Sequence, residues 1–159
     1  MLLRATLCLA MSASTASALS CRAPDASAGY SRAMKAPESY VVVDGRISYD
    51  LQIFGSGKGR KTSDGDRTTA RMVGKRLGRS GFTTPFASEI ILVAHCVGRW
   101  CGGLASGERY TAFLRETAGK LELHLEPCAY WVFPASNKAV KRTIERCHVQ
   151  GGCGNTKGR

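Results

Sequence analysis

A chain of 159 residues, 43% of them hydrophobic, can bury one modest core and is too short for two large domains. No apolar run approaches the roughly 18 residues that span a bilayer. The formal charge of +11 attracts polyanions such as nucleic acid, anionic headgroups or acidic polysaccharide, with a solvated surface as the plainer explanation.

The first residues read as an export signal. Met1-Leu-Leu-Arg4 is a short positive start, Ala5 to Met11 is apolar, and Ala16-Ser17-Ala18 has the A-x-A cleavage pattern. Residues 1–18 are expected to be removed; cleavage after Ser20 would extend the leader to 1–20 and start the mature chain at Cys21. A lipidated Cys21 is a further alternative. The mature chain is expected to be secreted, with a bacterial periplasm favoured because no Asn-x-Ser/Thr acceptor occurs. Cys8 leaves with the leader, and Cys21, Cys96, Cys101, Cys128, Cys147 and Cys153 remain. An even number of cysteines in a small exported domain reads as disulfides. Six allow 15 pairings, and nothing in the residues themselves selects one. Zinc is the competing reading, with His95 beside Cys96 and His148 beside Cys147. The Cys-x4-Cys and Cys-x5-Cys spacings lack the tight C-x2-C of zinc knuckles, so no metal is expected, and no cofactor.

In chain order, a short helix is expected from Asp25 to Lys35, capped at Asp25. From Val41 the odd positions Val43, Ile47, Tyr49, Leu51 and Ile53 are apolar, and Asp44, Arg46, Ser48, Asp50 and Gln52 between them are polar. That period of two predicts a long half-buried strand. Gly55 to Gly65 is a basic, glycine-rich loop with nothing to bury. Residues 67–78 read as a basic strand with Met72, Val73 and Leu77 inward. Glu89 to His95 carries Ile90-Ile-Leu-Val93, a buried strand by length. Tyr110 to Leu114 is a fourth strand, entered from the Gly102-Gly103 and Gly107 turns. Lys120 to Glu126 is a fifth, with Leu121, Leu123 and Leu125 on one face, ended by Pro127. A helix follows from Asn137 to Cys147, with Ser136 as its cap. Val140, Ile144 and Cys147 face inward there, and Lys138, Lys141, Arg142, Glu145 and Arg146 face out. Residues 154–159 are a flexible tail. Five strands with flanking helices predict an all-β fold, a five-stranded OB-type β-barrel with the C-terminal helix packed on it and disulfide staples.

The stretch Cys101-Gly-Gly-Leu-Ala-Ser-Gly-Glu-Arg-Tyr-Thr-Ala-Phe-Leu-Arg115 runs on to Lys120-Leu-Glu-Leu-His-Leu-Glu-Pro-Cys128-Ala-Tyr-Trp-Val-Phe-Pro134. Its order of cysteine, glycine turn, strand, alternating strand, cysteine and aromatics resembles the netrin-like module, the OB barrel also found in tissue inhibitors of metalloproteinases. Ser20-Cys21 is similar to the end of that family's Cys-x-Cys start, and Tyr40 to Arg46 to its first strand. The resemblance covers residues 19–153 as one domain. It implies a disulfide between Cys21 and Cys128; the expected set is completed by Cys96 with Cys101 and Cys147 with Cys153. In the inhibitors the first cysteine is the mature terminus, and its amine and carbonyl grip the protease zinc. The matching position here is Leu19, which departs from that pattern. An inhibitory edge at Leu19, Ser20 and Cys21 is therefore the alternative function. The leading expectation is a non-catalytic binding module, a monomer, with a protein or polyanionic partner.

Catalysis has little support in the residues. No G-x-S-x-G, H-E-x-x-H or phosphate loop occurs. His124 reads as a solvent-face residue between leucines, and Glu122 and Glu126 as solubilising carboxylates. The polyanion site is expected at Lys58, Arg60, Lys61, Arg67, Arg71, Lys75, Arg76 and Arg79, eight basic residues against Asp64 and Asp66. No aromatic residue lies between Phe54 and Phe82, which disfavours nucleic acid because single strands are held by base stacking. Trp100, Tyr130 and Trp131 read as core or disulfide packing.

Overall fold

Residues 20–51, 54 and 62–153 are described by the computed structural model. The leader, Leu19, the loop residues 55–61 with Lys58, Arg60 and Lys61, and the tail 154–159 lie outside the described residues. Helix α1 (Ala26–Lys35) starts where the Asp25 carboxylate accepts the backbone N–H groups of Ser27 and Ala28, satisfying donors with no partner inside the helix. It stops at Ala36, whose extended backbone is what a residue before proline adopts. Strands β1 (Tyr40–Ser48), β2 (Arg67–Gly78) and β3 (Gly81–Ala94) follow, then the two-residue strands β4 (Cys96–Val97) and β5 (Trp100–Cys101). After them come β6 (Arg109–Thr117), β7 (Lys120–Leu125), β8 (Val132–Pro134) and helix α2 (Lys138–Val149). The cap of α2 is Asn137, whose side chain accepts from Ala139 and Val140, and not Ser136.

Five strands form a ring in the order β1-β2-β3-β7-β6, closed by hydrogen bonds between β1 and β6. Every neighbouring pair is antiparallel except β3 with β7, which run parallel over Ile91–Ala94 and Glu122–Leu125. Strand β8 lies outside the ring on β6, where Ala112 faces Val132. Three strands differ in length from expectation, β6 running over Arg109–Thr117 and not only Tyr110 to Leu114. β1 ends at Ser48, and Leu51 beyond it is exposed; β3 begins at Gly81 and not at Glu89.

Two hydrophobic clusters sit on the two faces of this sheet. Val43 and Ile47 of β1, Met72 of β2, Ile90 and Leu92 of β3, Leu114 of β6 and Leu123 of β7 fill the ring. Outside it, Val42, Phe113 and Phe133 turn away from the ring and are covered by Tyr30 and Ala33 of α1 and by Val140, Ile144 and Cys147 of α2. Sheet covered on both faces shows unbroken apolar runs, and sheet covered on one face shows alternation. Val41-Val42-Val43 and Ala112-Phe113-Leu114 are runs of the first kind. Strand β2 is of the second kind, and there Val73 is a correction. It follows the buried Met72, so the period of two turns it outward, where it is 48% exposed.

Asp44 is a second correction. It points to the outer face of β1, as its parity requires, yet is buried under α2. Lys141 reaches it at 2.8 Å and Arg109 at 3.5 Å. Lys141 therefore does not simply face solvent; its ammonium also lies 5.1 Å from the Phe82 ring. Glu145 likewise turns back, accepting from the Phe82 backbone N–H.

Three disulfides join Cys21 to Cys128, the pair that the resemblance implies, and Cys96 to Cys101 and Cys147 to Cys153, the two that complete the expected set. The first bridges 107 positions and fastens the start of the described chain beside the end of β7. The second crosses the β4–β5 hairpin and the third locks the end of α2. Among the described residues no helix is long and apolar enough to cross a membrane.

Candidate functional site

The alternation of β2 sorts its basic residues. Thr68, Ala70 and Met72 are buried, so Arg67, Thr69, Arg71, Val73 and Lys75 share the outer face. Residues on one face four positions apart lie about 13 Å from each other, and Arg67, Arg71 and Lys75 thus form a basic row along a single strand. Arg76 has the other parity, opposite Val43, and Arg79 sits in the turn between β2 and β3. The eight predicted basic positions are therefore not one cluster: three form the row, two lie elsewhere, and Lys58, Arg60 and Lys61 are outside the described residues. On the neighbouring strands the row is flanked by Arg46, opposite Val73, and by Glu89, opposite Arg71. Arg46 donates to the Gly107 carbonyl. Among the described residues Arg71 and Lys75 are exposed and form no ion pair within 4 Å.

Arg67 ends the row in a network that the sequence reading missed. Glu122 and His124 alternate with the inward leucines of β7 and so project from its outer face. Their register beside β3 and β6 brings them together with residues of β2 and β6 and with His95 of the β3–β4 link. Glu122 is 5% exposed and accepts from Arg67, with Arg115 of β6 at 3.7 Å. His124 Nε2 lies 3.1 Å from the second Glu122 oxygen, and its Nδ1 lies 2.8 Å from His95 Nε2. A carboxylate only accepts, so His124 carries its proton on Nε2, and Nδ1 then accepts from the Nε2–H of His95. His95 Nδ1 is left 3.8 Å from Asp64, whose carboxylate also accepts from the Cys96 backbone N–H. Arg115 reaches on to Glu38 at 3.2 Å.

Burial alone would raise the Glu122 carboxyl, but the hydrogen bonds from Arg67 and His124 and their charges outweigh it and hold it below the ordinary carboxylate range. His124 is held below the ordinary imidazole range, by burial first and then by the Arg115 charge, against the opposing bond to Glu122. Both ring nitrogens of His124 are engaged by protein groups, so in this arrangement the network fixes strands and the Asp64 loop in place. Glu122 and His124 are thus corrections to the solvent-face expectation. Residue order placed them on the outer face; only the arginines and His95 folding over them cover that face.

The N-terminal edge is held at Cys21, whose disulfide leaves Ser20 and Cys21 exposed, while Leu19 is outside the described residues. Cys101 is bonded to Cys96. Trp100 is 49% and Tyr130 44% exposed, which corrects their assignment to packing. Trp100 projects from the short β4–β5 hairpin, and Arg32 lies 4.6 Å from the Tyr130 ring. Trp131 is partly buried and stacks on Tyr40 at 5.0 Å. His148 is bonded to the Tyr30 hydroxyl at 3.0 Å, joining α2 to α1. No protein-family model matches the chain, and no curated protein or solved structure is found similar to it.

Proposed function

We propose that this is an exported, non-catalytic binding module of the netrin-like, OB-barrel kind, which engages a polyanion along the outer face of β2. The OB reading is supported by the ring order β1-β2-β3-β7-β6 and by the single parallel contact between β3 and β7. The outer face of the second and third strands is where OB barrels commonly take extended ligands. The observation that carries the binding reading is the row Arg67, Arg71 and Lys75, with Arg71 and Lys75 exposed. Export is supported by the three disulfides, which form and persist in oxidising compartments.

Retention on immobilised heparin, eluted with salt, tests this reading. Screened attraction and counterion release make such binding fall steeply with ionic strength. Arg71→Gln with Lys75→Gln should elute at clearly lower salt than the parent. Lys138→Gln with Arg142→Gln removes the same charge from an exposed helix face and should change elution less; Lys141 is unsuitable as a control because it anchors Asp44. Equal losses in both double variants would reduce the site to net charge. The alternative, metalloproteinase inhibition at Leu19, Ser20 and Cys21, rests on the resemblance, by which Cys101 would match the cysteine that bonds the inhibitors' terminal residue; it is weakened because Cys101 is bonded to Cys96 instead. Stoichiometric inhibition by a form verified to start at Leu19 would restore it.

A further inference from the structure

We infer that the slot between α1 and the diverging ends of β1 and β2 binds a small amphiphilic anion, an aliphatic carboxylate of about six to eight carbons. The β1–β2 ladder runs from Ser48 opposite Arg71 to Val43 opposite Arg76 and stops there. At that point the β2–β3 register shifts between Arg76 and Leu77, and such a bulge bends its strand. The end of β2 follows β3, with Leu77 opposite Phe82, while Tyr40–Val42 pair with β6. A cavity of about 230 Å³ opens between them, bounded by α1 and the last turn of α2.

Its lining decides what fits. Val42 and Phe113 are buried residues of the outer cluster, so the depth of the slot presents carbon. The inner polar groups, the Tyr30 hydroxyl and His148 Nδ1, satisfy each other at 3.0 Å. Protein interiors hold few voids larger than a water, and an apolar wall with no atoms opposite forfeits its dispersion contacts. A dry apolar cavity of ~150 Å³ takes up benzene, and about eight waters at ~30 Å³ each would fill this one. An aliphatic chain of similar bulk restores those contacts.

The charge comes from Arg76. Arg76 stands at the last rung of the β1–β2 ladder, opposite Val43, and lines the slot where the two strands part, and among the described residues it forms no ion pair within 4 Å. A carboxylate there would gain a bidentate partner while its tail lies on Val42 and Phe113. Met34, 61% exposed, is on the rim, an unbranched side chain that adapts to whatever enters. The slot is separate from the Arg67–Lys75 row and does not depend on polyanion binding there.

Two methionines allow a direct test on the full chain labelled at its methionine methyls. Met34 lines the slot, whereas Met72 is fully buried inside the ring and serves as the internal control. Titrated octanoate should shift the Met34 methyl saturably and leave Met72 nearly unmoved. Octanol, with the same tail and no charge, should bind about ten-fold more weakly, and octylamine more weakly still, as one charge-assisted contact implies. Arg76→Gln should lower octanoate affinity by a similar factor and leave octanol unchanged; Arg76 is exposed, and an unmoved Met72 methyl shows that the variant is folded. No saturable Met34 shift below the micellar concentration would overturn the proposal. So would equal binding of all three amphiphiles, or unchanged octanoate affinity in Arg76→Gln.

Discussion

Glu122 and Asp44 are both buried carboxylates on the outer face of the ring, and each is held by two cations from other elements. Removing one of the two cations leaves a buried carboxylate only partly compensated, by the more distant Arg109 in the case of Asp44, and a buried charge that loses a partner is destabilising. Lys141→Ala should therefore destabilise the fold by about 1–3 kcal/mol in urea unfolding, and Lys138→Ala by no more than ~0.5 kcal/mol. Equal effects would show that Lys141 acts only through helix propensity. The Glu122–His124 pair makes a second prediction, in pH. Both groups have depressed pKa values in the folded state, so the unfolded chain takes up each proton first and stability rises with pH. The His124 contribution is complete above ~6.5 and is lost as pH falls through the lower folded value. The Glu122 contribution is complete above ~4.3 and is lost in the same way at more acid pH. Stability measured from pH 8 to about pH 2 should thus fall in two stages. His124→Gln should diminish the first and leave the second in place; a first stage of unchanged size would remove His124 from this account.

At the scale of elements, β1 and β2 approach closely at the inward pair Gly45 and Gly74. A Cβ added at Gly74 would lie 2.2 Å from the Asp44 carbonyl oxygen, and one at Gly45 would lie 2.6 Å from that of Val73. The contact is with backbone, which cannot rotate away. Gly74→Ala should cost at least about 1–3 kcal/mol and should weaken amide-exchange protection across β1 and β2 more than across β7. A neutral substitution would mean that the strands can separate there at no cost. The run from Val41 to Val43 belongs to the same scale. Three successive apolar residues in a strand already signal cover on both faces, and α1 and α2 supply it through Tyr30 and Ile144.

For the whole molecule the three disulfides differ in what they restrain. In chain-entropy terms the Cys21–Cys128 link, spanning 107 positions, is worth about 5 kcal/mol, and a link of 6 positions such as Cys147–Cys153 about 2 kcal/mol. Replacing both Cys21 and Cys128 by serine should lower the melting temperature more than replacing Cys147 and Cys153, measured in the natively exported protein. The reverse order would mean that the end of α2, where Cys147 is buried against the outer cluster, limits stability instead. The same oxidised protein should contain no titratable thiol among these six positions.

The order of residues by itself determined most of the elements. The Asp25 cap, the alternation in β1 and β7 and the i, i+4, i+7 face of α2 depend on neighbours within one turn or one strand, and these are written locally. The tight β3–β7 parallel contact, the strand β8 and the closure of β1 onto β6 are pairings between distant segments, for which a single chain carries no local mark. The same division holds for the sites. Parity placed Arg67, Arg71 and Lys75 on one face of β2 and set Arg76 apart from them, yet only the tertiary structure, by ending the β1–β2 ladder and bulging the strand beside it, opened the slot that Arg76 lines. Parity also turned Asp44, Glu122 and His124 outward, and an outward side chain reads as solvated until something packs over it. Whether a helix lysine or a neighbouring arginine does so depends on where remote elements come to lie, and burial is therefore a property that the fold confers after the pattern has been spent.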